Sequence, residues 1–474
     1  MVVAIDLSMP WLCGVTKIRS SDDWMNTSMP APPMYASSQC IPRMTWTQPK
    51  EHWRRLHPVS PANEKLLKRA SKKPSEPPSC MHPSSTSVSA SIDAEQRKLT
   101  VRWPSGKSHT FHYVWLRHNA RCPDGMPNDT SVKIDLLPDD PESLVVESFE
   151  IKNDTLEIRW ADGQIDTTHN LPTLLGSAYD AATRRQRKPT PVLWHAGNTG
   201  EIPVYLFSDL NNLETILQIA LSVRDFGIAR LRNVPLTPGT VATVAGHFGS
   251  VHLNNYGRVF DVRTGTNLTL GSNTGKYLGP HTDESYRHAA PGITLFHCLA
   301  ASLDDGGETI LVDGFKVAQV LKESDHASFD ILCRVPVFFQ RRALPEEDMQ
   351  SHRRIIALDI DGDVEGIRFT DRTIPPQDLP EELMEPIYKA IKAFWNIVNS
   401  EELKFACLMA PGDLHLFDNQ RVLHGRTAFD PTAGVRHLQQ CSVNRDEFHN
   451  TLRTLAARFN HPAQSLTMAG GALG

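Results

Sequence analysis

Ile293-Thr-Leu-Phe-His-Cys-Leu299 decides the fold. A short apolar run with β-branched and aromatic side chains, set off by Pro291-Gly292, reads as a strand. Downstream the same texture returns. Thr309-Ile-Leu-Val312 follows a Gly-rich turn, Arg354-Ile-Ile-Ala-Leu-Asp359 and Glu365-Gly-Ile-Arg-Phe369 form a hairpin across Asp361-Gly-Asp363, and Leu414-His-Leu-Phe417 closes the series. One long amphipathic helix, about 380–399, interrupts them. Upstream, Asp209 is placed to cap a helix through about Val223, and Phe226-Gly-Ile-Ala-Arg-Leu231 reads as a buried strand. Many short strands with inserted helices predict a mainly β fold, a double-stranded β-helix of the jelly-roll or cupin type, and not regular βαβ winding. No repeat at solenoid periods is present.

Further upstream the texture changes. Lys98-Leu-Thr-Val-Arg-Trp103, Thr110-Phe-His-Tyr-Val-Trp115, Leu144-Val-Val-Glu-Ser-Phe149 and Thr155-Leu-Glu-Ile-Arg-Trp160 alternate and are broken by turns at Pro104-Ser-Gly106 and Ala161-Asp-Gly163. They predict a small β-rich domain over 91–178. The basic stretch Arg184-Arg-Gln-Arg-Lys188, followed by Pro189 and Pro191, reads as a solvated linker within 179–199. The jelly-roll domain is expected over 200–460, with a tail from 461 to 474. Residues 1–90 are rich in Ser, Pro and Met without sustained periodicity, and are expected to be largely disordered.

The bulk numbers limit the function. A chain of 474 residues has room for an enzyme. A net charge of −5 from well-mixed acids and bases gives no general attraction to nucleic acid or anionic membrane, so neither is expected as a partner. No apolar run is long enough to span a bilayer. The eight cysteines are scattered with no CxxC pair, which points to a reducing compartment. Asp6 and Pro10 spoil a secretory apolar segment, so a cytoplasmic location is expected, with mitochondrial import left open.

The chemistry is carried by Gly279-Pro-His-Thr-Asp-Glu284. On or just beyond a strand, His281 and Asp283 point to the same face because side chains alternate with period two. Arg421-Val-Leu-His-Gly-Arg426 offers His424 as a third ligand if the fold returns the chain to the same barrel mouth. Two imidazoles and one carboxylate on one face of an octahedral Fe(II) leave three positions for a bidentate 2-oxo acid and dioxygen. In a chain with 20 histidines a lone HxD triplet is an ordinary occurrence, so the surrounding residues must decide. Thr309, at the end of Asp305-Gly-Gly-Glu-Thr309, has a hydroxyl that can donate to a bound carboxylate. Arg436 can grip the far end of a dicarboxylate with a bidentate fork.

These blocks resemble the γ-butyrobetaine and trimethyllysine dioxygenases of the taurine-dioxygenase-like superfamily, over about residues 95–458. Val114-Trp-Leu-Arg-His-Asn119 is similar to that family's N-terminal domain. Asn254-Asn-Tyr-Gly-Arg258, the HxD block, Pro291–Leu299, Gly306–Phe315 and Phe417–Arg426 resemble its catalytic blocks in order. The resemblance implies iron on His281, Asp283 and His424, and 2-oxoglutarate carboxylates at Thr309 and Arg436. It implies a reaction in which 2-oxoglutarate and O2 are consumed to hydroxylate an unactivated C–H bond of a small carboxylate or amino-acid-derived substrate. Ascorbate as a stimulant and a homodimeric assembly are compatible with it.

Two departures accompany the resemblance. The family's structural zinc site would need four ligands. Only Cys122 matches, the later His position reads Gln164, and His118 and His169 stand out of place, so zinc is not expected. The aromatic cage for a trimethylammonium is also altered. Tyr256 matches one ring and Phe260 replaces a second, with Tyr277 and Tyr286 as further rings nearby, but Ser272, Asn273 and Ser442 stand where more rings are expected. This leaves two substrate classes, a γ-butyrobetaine-like compound or a non-quaternary-ammonium substrate of a relative recruited to specialised metabolism, which would be hydroxylated, desaturated or epoxidised. A metal-free jelly-roll binding protein is disfavoured by the intact ligand set.

Overall fold

The computed structural model describes residues 87–120, 137–163, 166–263, 275–301, 306–432, 434–461 and 468–472. The expectations for residues 1–86, and those resting on Cys122, Gln164, Ser272 and Asn273, lie outside the described residues.

In the N-terminal part, β1 (Ser89–Asp93), β2 (Lys98–Arg102) and β3 (Ser108–His112) form one antiparallel sheet. A second is formed by β4 (Val146–Lys152), β5 (Thr155–Trp160) and β6 (Thr167–Asn170). Period-two alternation sends Leu99, Val101, Phe111, Leu156, Ile158 and Trp160 into one shared core. The run from Thr110 does not stay extended to Trp115: the chain turns at Tyr113 into the helix Tyr113–His118. Tyr113, Leu116 and Arg117 also fit a helical face, and Trp160 meets it, with the Tyr113 ring 6.0 Å and the Arg117 guanidinium 5.3 Å from the indole.

The larger part is built on β7 (Val204–Leu206), β8 (Ile228–Arg232), β9 (Phe260–Arg263), β10 (Leu278–His281), β11 (Ile293–Ala300) and β12 (Thr309–Asp313). Two hairpins follow, β13 (Val337–Ala343) with β14 (Glu347–Arg353) and β15 (Ile356–Leu358) with β16 (Val364–Ile367). The last strands are β17 (Phe405–Cys407), β18 (Leu414–Asp418), β19 (Val422–Arg426) and β20 (His437–Val443). They make a six-stranded sheet, β7-β8-β18-β11-β20-β9, and a four-stranded sheet, β10-β19-β12-β17. This is the two-sheet jelly roll expected from the strand pattern.

Leu311 and Val422 of the small sheet meet Ile228, Phe417 and Phe296 of the large one in a shared core. The opposite face of the large sheet, through Leu295, Leu414 and Leu416, packs on the helices Leu213–Phe226, Thr240–Ala245 and Arg445–Arg458. The small sheet, through Ile310, Val312 and Leu423, packs on Gly314–Ser324, His326–Arg334 and Glu381–Val398. At the β18–β19 turn Arg421 grips Asp313 bidentately at 3.0 Å with both side chains buried, and donates to the carbonyls of Asp225 and Val192. One residue thus ties the turn beside His424 to three neighbouring segments.

Two expectations change in detail. The helix after Asp209 is capped by Asn212, whose Oδ1 accepts from Glu214 N at 2.9 Å, while Asp209 lies in the preceding 3-10 turn Phe207–Asn211. The basic stretch is helical over Ala181–Arg187 and is anchored. Lys188 Nζ reaches Asp359, Asp361 and Asp363 at 2.5–2.9 Å, and Arg184 joins Asp361 at 2.7 Å. No helix of the described residues is long and apolar enough to cross a membrane.

Candidate active site

His281 ends β10 and His424 lies mid-strand in β19, directly opposite it in the antiparallel register. Their ring centroids are 4.5 Å apart. Close approach of these strands requires Gly425, since a Cβ there would lie 2.5 Å from the Leu278 carbonyl oxygen. The glycine after His424 is therefore a packing requirement of the site. Asp283, two residues beyond β10, turns to the same side, and its Oδ1 stands 3.5 Å from His281 Nε2 and 3.4 Å from His424 Nε2. The three ligand atoms lie within 4.8 Å of one another, and this is the one His/Cys/Asp/Glu group of that kind among the described residues.

The surroundings prepare these atoms for a cation. His281 Nδ1–H donates to the Gly279 carbonyl at 2.9 Å, which leaves the Nε2 lone pair facing Asp283. Burial, with His424 beside it, lowers the His281 pKa to about 4, so the imidazole is neutral at physiological pH as a metal ligand must be. Burial opposes ionisation of Asp283, but the His424 and His281 imidazoles hold its carboxyl well below the usual range. Its other oxygen, Oδ2, accepts from Gln440 Nε2 at 2.6 Å. Asn419 fixes the backbone of Asp283 in both directions, Asp283 N donating to Asn419 Oδ1 at 2.7 Å and Asn419 Nδ2 donating to Asp283 O at 3.1 Å. Thr282 between the two ligands is bound to the backbone of Phe369, so the HxD segment is held from both sides. His424 is wedged between Phe296 and Phe417, at centroid distances of 5.0 and 5.1 Å. A neutral His281 imidazole, an ionised Asp283 carboxylate and a His424 ring held in place fit a divalent transition metal.

Thr309 and Arg436 come to one end of the barrel. Thr309 opens β12, opposite Arg426, and is buried. Arg436 is buried just before β20, and a Cβ on Gly307, two residues from Thr309, would lie 3.4 Å from Arg436 Cδ. Gly307, at φ 79°, supplies the backbone conformation and the space. Burial lowers the Arg436 pKa to about 10, which still leaves it charged. A second buried cation that sequence reasoning missed, Arg426, shares the Phe429 ring with it, at 4.7 Å against 5.8 Å for Arg436. Two guanidiniums brought together in this way suit a carboxylate.

A cavity opens beside His281 and Asp283. Tyr256, Phe260 and Ser442, the residues proposed from the sequence to meet substrate, line it. Tyr256 and Phe260 are 5.8 Å apart, edge to face. Tyr286 adds a third ring, its hydroxyl 3.3 Å from that of Tyr256, whereas Tyr277 is half-exposed and hydrogen bonds to Asn399. Burial raises the pKa of both Tyr256 and Tyr286, so the phenols stay protonated. The β13–β14 hairpin brings Arg341 and Glu347 to this wall, and Arg372 overhangs from the 3-10 turn Asp371–Thr373. Next to Asp283, Glu284 takes a left-handed backbone (φ 53°) that a non-glycine residue seldom adopts, held by its bonds to Asn254 and Arg287.

Residues 186–442 match the taurine catabolism dioxygenase TauD, TfdA family, and residues 90–174 match the γ-butyrobetaine hydroxylase-like N-terminal family. The chain is 33% identical to the γ-butyrobetaine dioxygenase of Pseudomonas sp. strain AK-1, over 75% of this chain and 93% of that relative. It is 29% identical to the human γ-butyrobetaine dioxygenase (76% and 95%). It is 27% identical to the trimethyllysine dioxygenase of Meyerozyma guilliermondii (78% and 95%).

Proposed function

We propose, from the premise that this chain belongs to the TauD/TfdA dioxygenase family alongside the γ-butyrobetaine and trimethyllysine dioxygenases, that it hydroxylates a small carboxylate at an unactivated C–H bond. The observation that carries this reading is the convergence of His281 Nε2, Asp283 Oδ1 and His424 Nε2 beside the cavity lined by Tyr256 and Phe260. Those three residues would hold Fe(II), and Arg436 with Thr309 would hold the carboxylates of 2-oxoglutarate. When bound there, iron and 2-oxoglutarate supply the oxidising chemistry, O2 being consumed as 2-oxoglutarate becomes succinate and CO2 and one oxygen atom enters the substrate C–H bond.

The chain's own part is binding, orientation and exclusion. Gln440 and Asn419 keep Asp283 turned to the two imidazoles. Phe296 and Phe417 shield the His424 ring from water and fix its plane. Buried Arg436 keeps its charge and would anchor one carboxylate of the co-substrate. Tyr256, Phe260 and Ser442 border the cavity beside His281 and Asp283, where the substrate would present its C–H bond.

The test is product analysis with Fe(II), 2-oxoglutarate and a panel of small carboxylates. A substrate that gains one oxygen atom while an equivalent of succinate forms supports the reading. A protein that forms no succinate, even without substrate, would sink it.

A further inference from the structure

The cavity beside His281 and Asp283 carries more positive charge than the proposed chemistry uses. Arg258, Arg341 and Arg372 all border it. Arg341 is fixed in place, its Nε donating to Glu347 at 2.7 Å and its guanidinium carbon 5.7 Å from the centroid of the Tyr256 ring. Tyr256 donates its hydroxyl to the same Glu347 at 3.0 Å, so ring, cation and carboxylate form one locked unit. The aromatic wall that a quaternary ammonium would use is thus already faced by a cation of the chain's own. A second cation at that ring would have to share it with the Arg341 guanidinium.

The other two arginines point to the opposite sign of ligand. Arg258 and Arg372 are exposed, and among the described residues neither guanidinium makes a hydrogen bond or ion pair. Of the acids at this wall, Glu347 already pairs with Arg341, so the charge left over is that of Arg258 and Arg372. Asp283 is bound to Gln440 and faces the imidazoles, and Glu284 is bonded to Asn254 and Arg287. Positive charge at the mouth is therefore left to an incoming group.

We propose that Arg341 is a specificity-determining residue which, with Arg258 and Arg372, makes this cavity select a small substrate presenting a carboxylate or similar oxyanion and reject one presenting a quaternary ammonium to the Tyr256 wall. The proposal rests on the dioxygenase reading only in taking this cavity as the substrate site. Polar Ser442 in place of a further ring agrees with it.

The test is equilibrium binding by calorimetry to the full chain without added metal. Three probes separate the contributions: γ-butyrobetaine, its uncharged-tail analogue 5,5-dimethylhexanoate, and the corresponding amide. The carboxylate analogue should bind at least about tenfold more tightly than either of the others. Arg341→Gln should shrink the gap between the analogue and γ-butyrobetaine. Arg372→Gln, at an exposed position, should shrink the gap between carboxylate and amide. Preference for γ-butyrobetaine, equal binding of acid and amide, no binding of any probe, or an unchanged ratio in folded Arg341→Gln would overturn the proposal. Succinate formation by the native protein reports separately on the dioxygenase reading: its absence leaves the binding order standing, and a betaine-first order refutes the selectivity even where succinate forms.

Discussion

Replacing Gln440 by Met tests how the site is held. Gln440 Nε2 donates to Asp283 Oδ2 at 2.6 Å, and this bond turns Oδ1 toward His281 and His424. Methionine preserves most of the volume, so packing against Phe260 across the β20–β9 pair is retained. A hydrogen bond to a charged group stabilises by about 1.5–3 kcal/mol. The bond exists with or without metal, so only the part that restricts the Asp283 rotamer enters the affinity. That places the loss near the low end, about 1.4 kcal/mol or tenfold, within the range of about 10–100-fold for groups that orient metal ligands. The assay is anaerobic titration with Fe(II), or calorimetry with Mn(II), on native and variant proteins of matched melting temperature. An affinity change below about twofold in a folded variant would refute the claim that Gln440 positions Asp283.

Arg436→Gln should raise the KM for 2-oxoglutarate on the order of 100-fold while leaving metal affinity within about twofold, because Arg436 would grip the co-substrate and not the metal; equal losses in both would mean that Arg436 acts through the metal site. Arg421→Met should destabilise the fold by about 3–5 kcal/mol in denaturant unfolding, since it strands buried Asp313, and a loss under about 1 kcal/mol would contradict the described clamp. His169 is buried with no partner at Nε2 among the described residues, and burial lowers its pKa from 6.5 to about 4. The folded state therefore binds fewer protons than the unfolded one between those values. Stability should be full above about pH 6.5, fall as pH drops towards 4 by up to about 3 kcal/mol, and level off below. His169→Leu should flatten that part of the profile, and an unchanged profile would exclude His169 as its source.

Much of the fold was legible because one interaction dominates it. Ile293–Leu299, Thr309–Val312 and Leu414–Phe417 are apolar runs that water rejects, and strands appear at each. The HxD triplet was legible for the same local reason, as side-chain alternation alone puts His281 and Asp283 on one side. Gln440 and Asn419 were not. A glutamine in a strand and an asparagine in a turn have no local signature, and their role exists only because β20 is threaded beside β11 and the β18–β19 turn reaches Asp283. Arg341 was hidden in the same way: the charges at Arg341 and Arg342 break the pattern of β13, so the hairpin that carries it to Tyr256 left a weak trace. At Tyr113 two periodicities overlap, and only Trp160, far along the chain, decides for the helix.

We propose that His281, Asp283 and His424 form one iron site that also binds 2-oxoglutarate. It is tested most directly by adding Fe(II) and then 2-oxoglutarate to the protein without oxygen and following visible absorption. A weak charge-transfer band should appear only with both present, saturate at one iron per chain, and be absent in His424→Ala. A band of undiminished intensity in that variant, or none in the native protein, would contradict it.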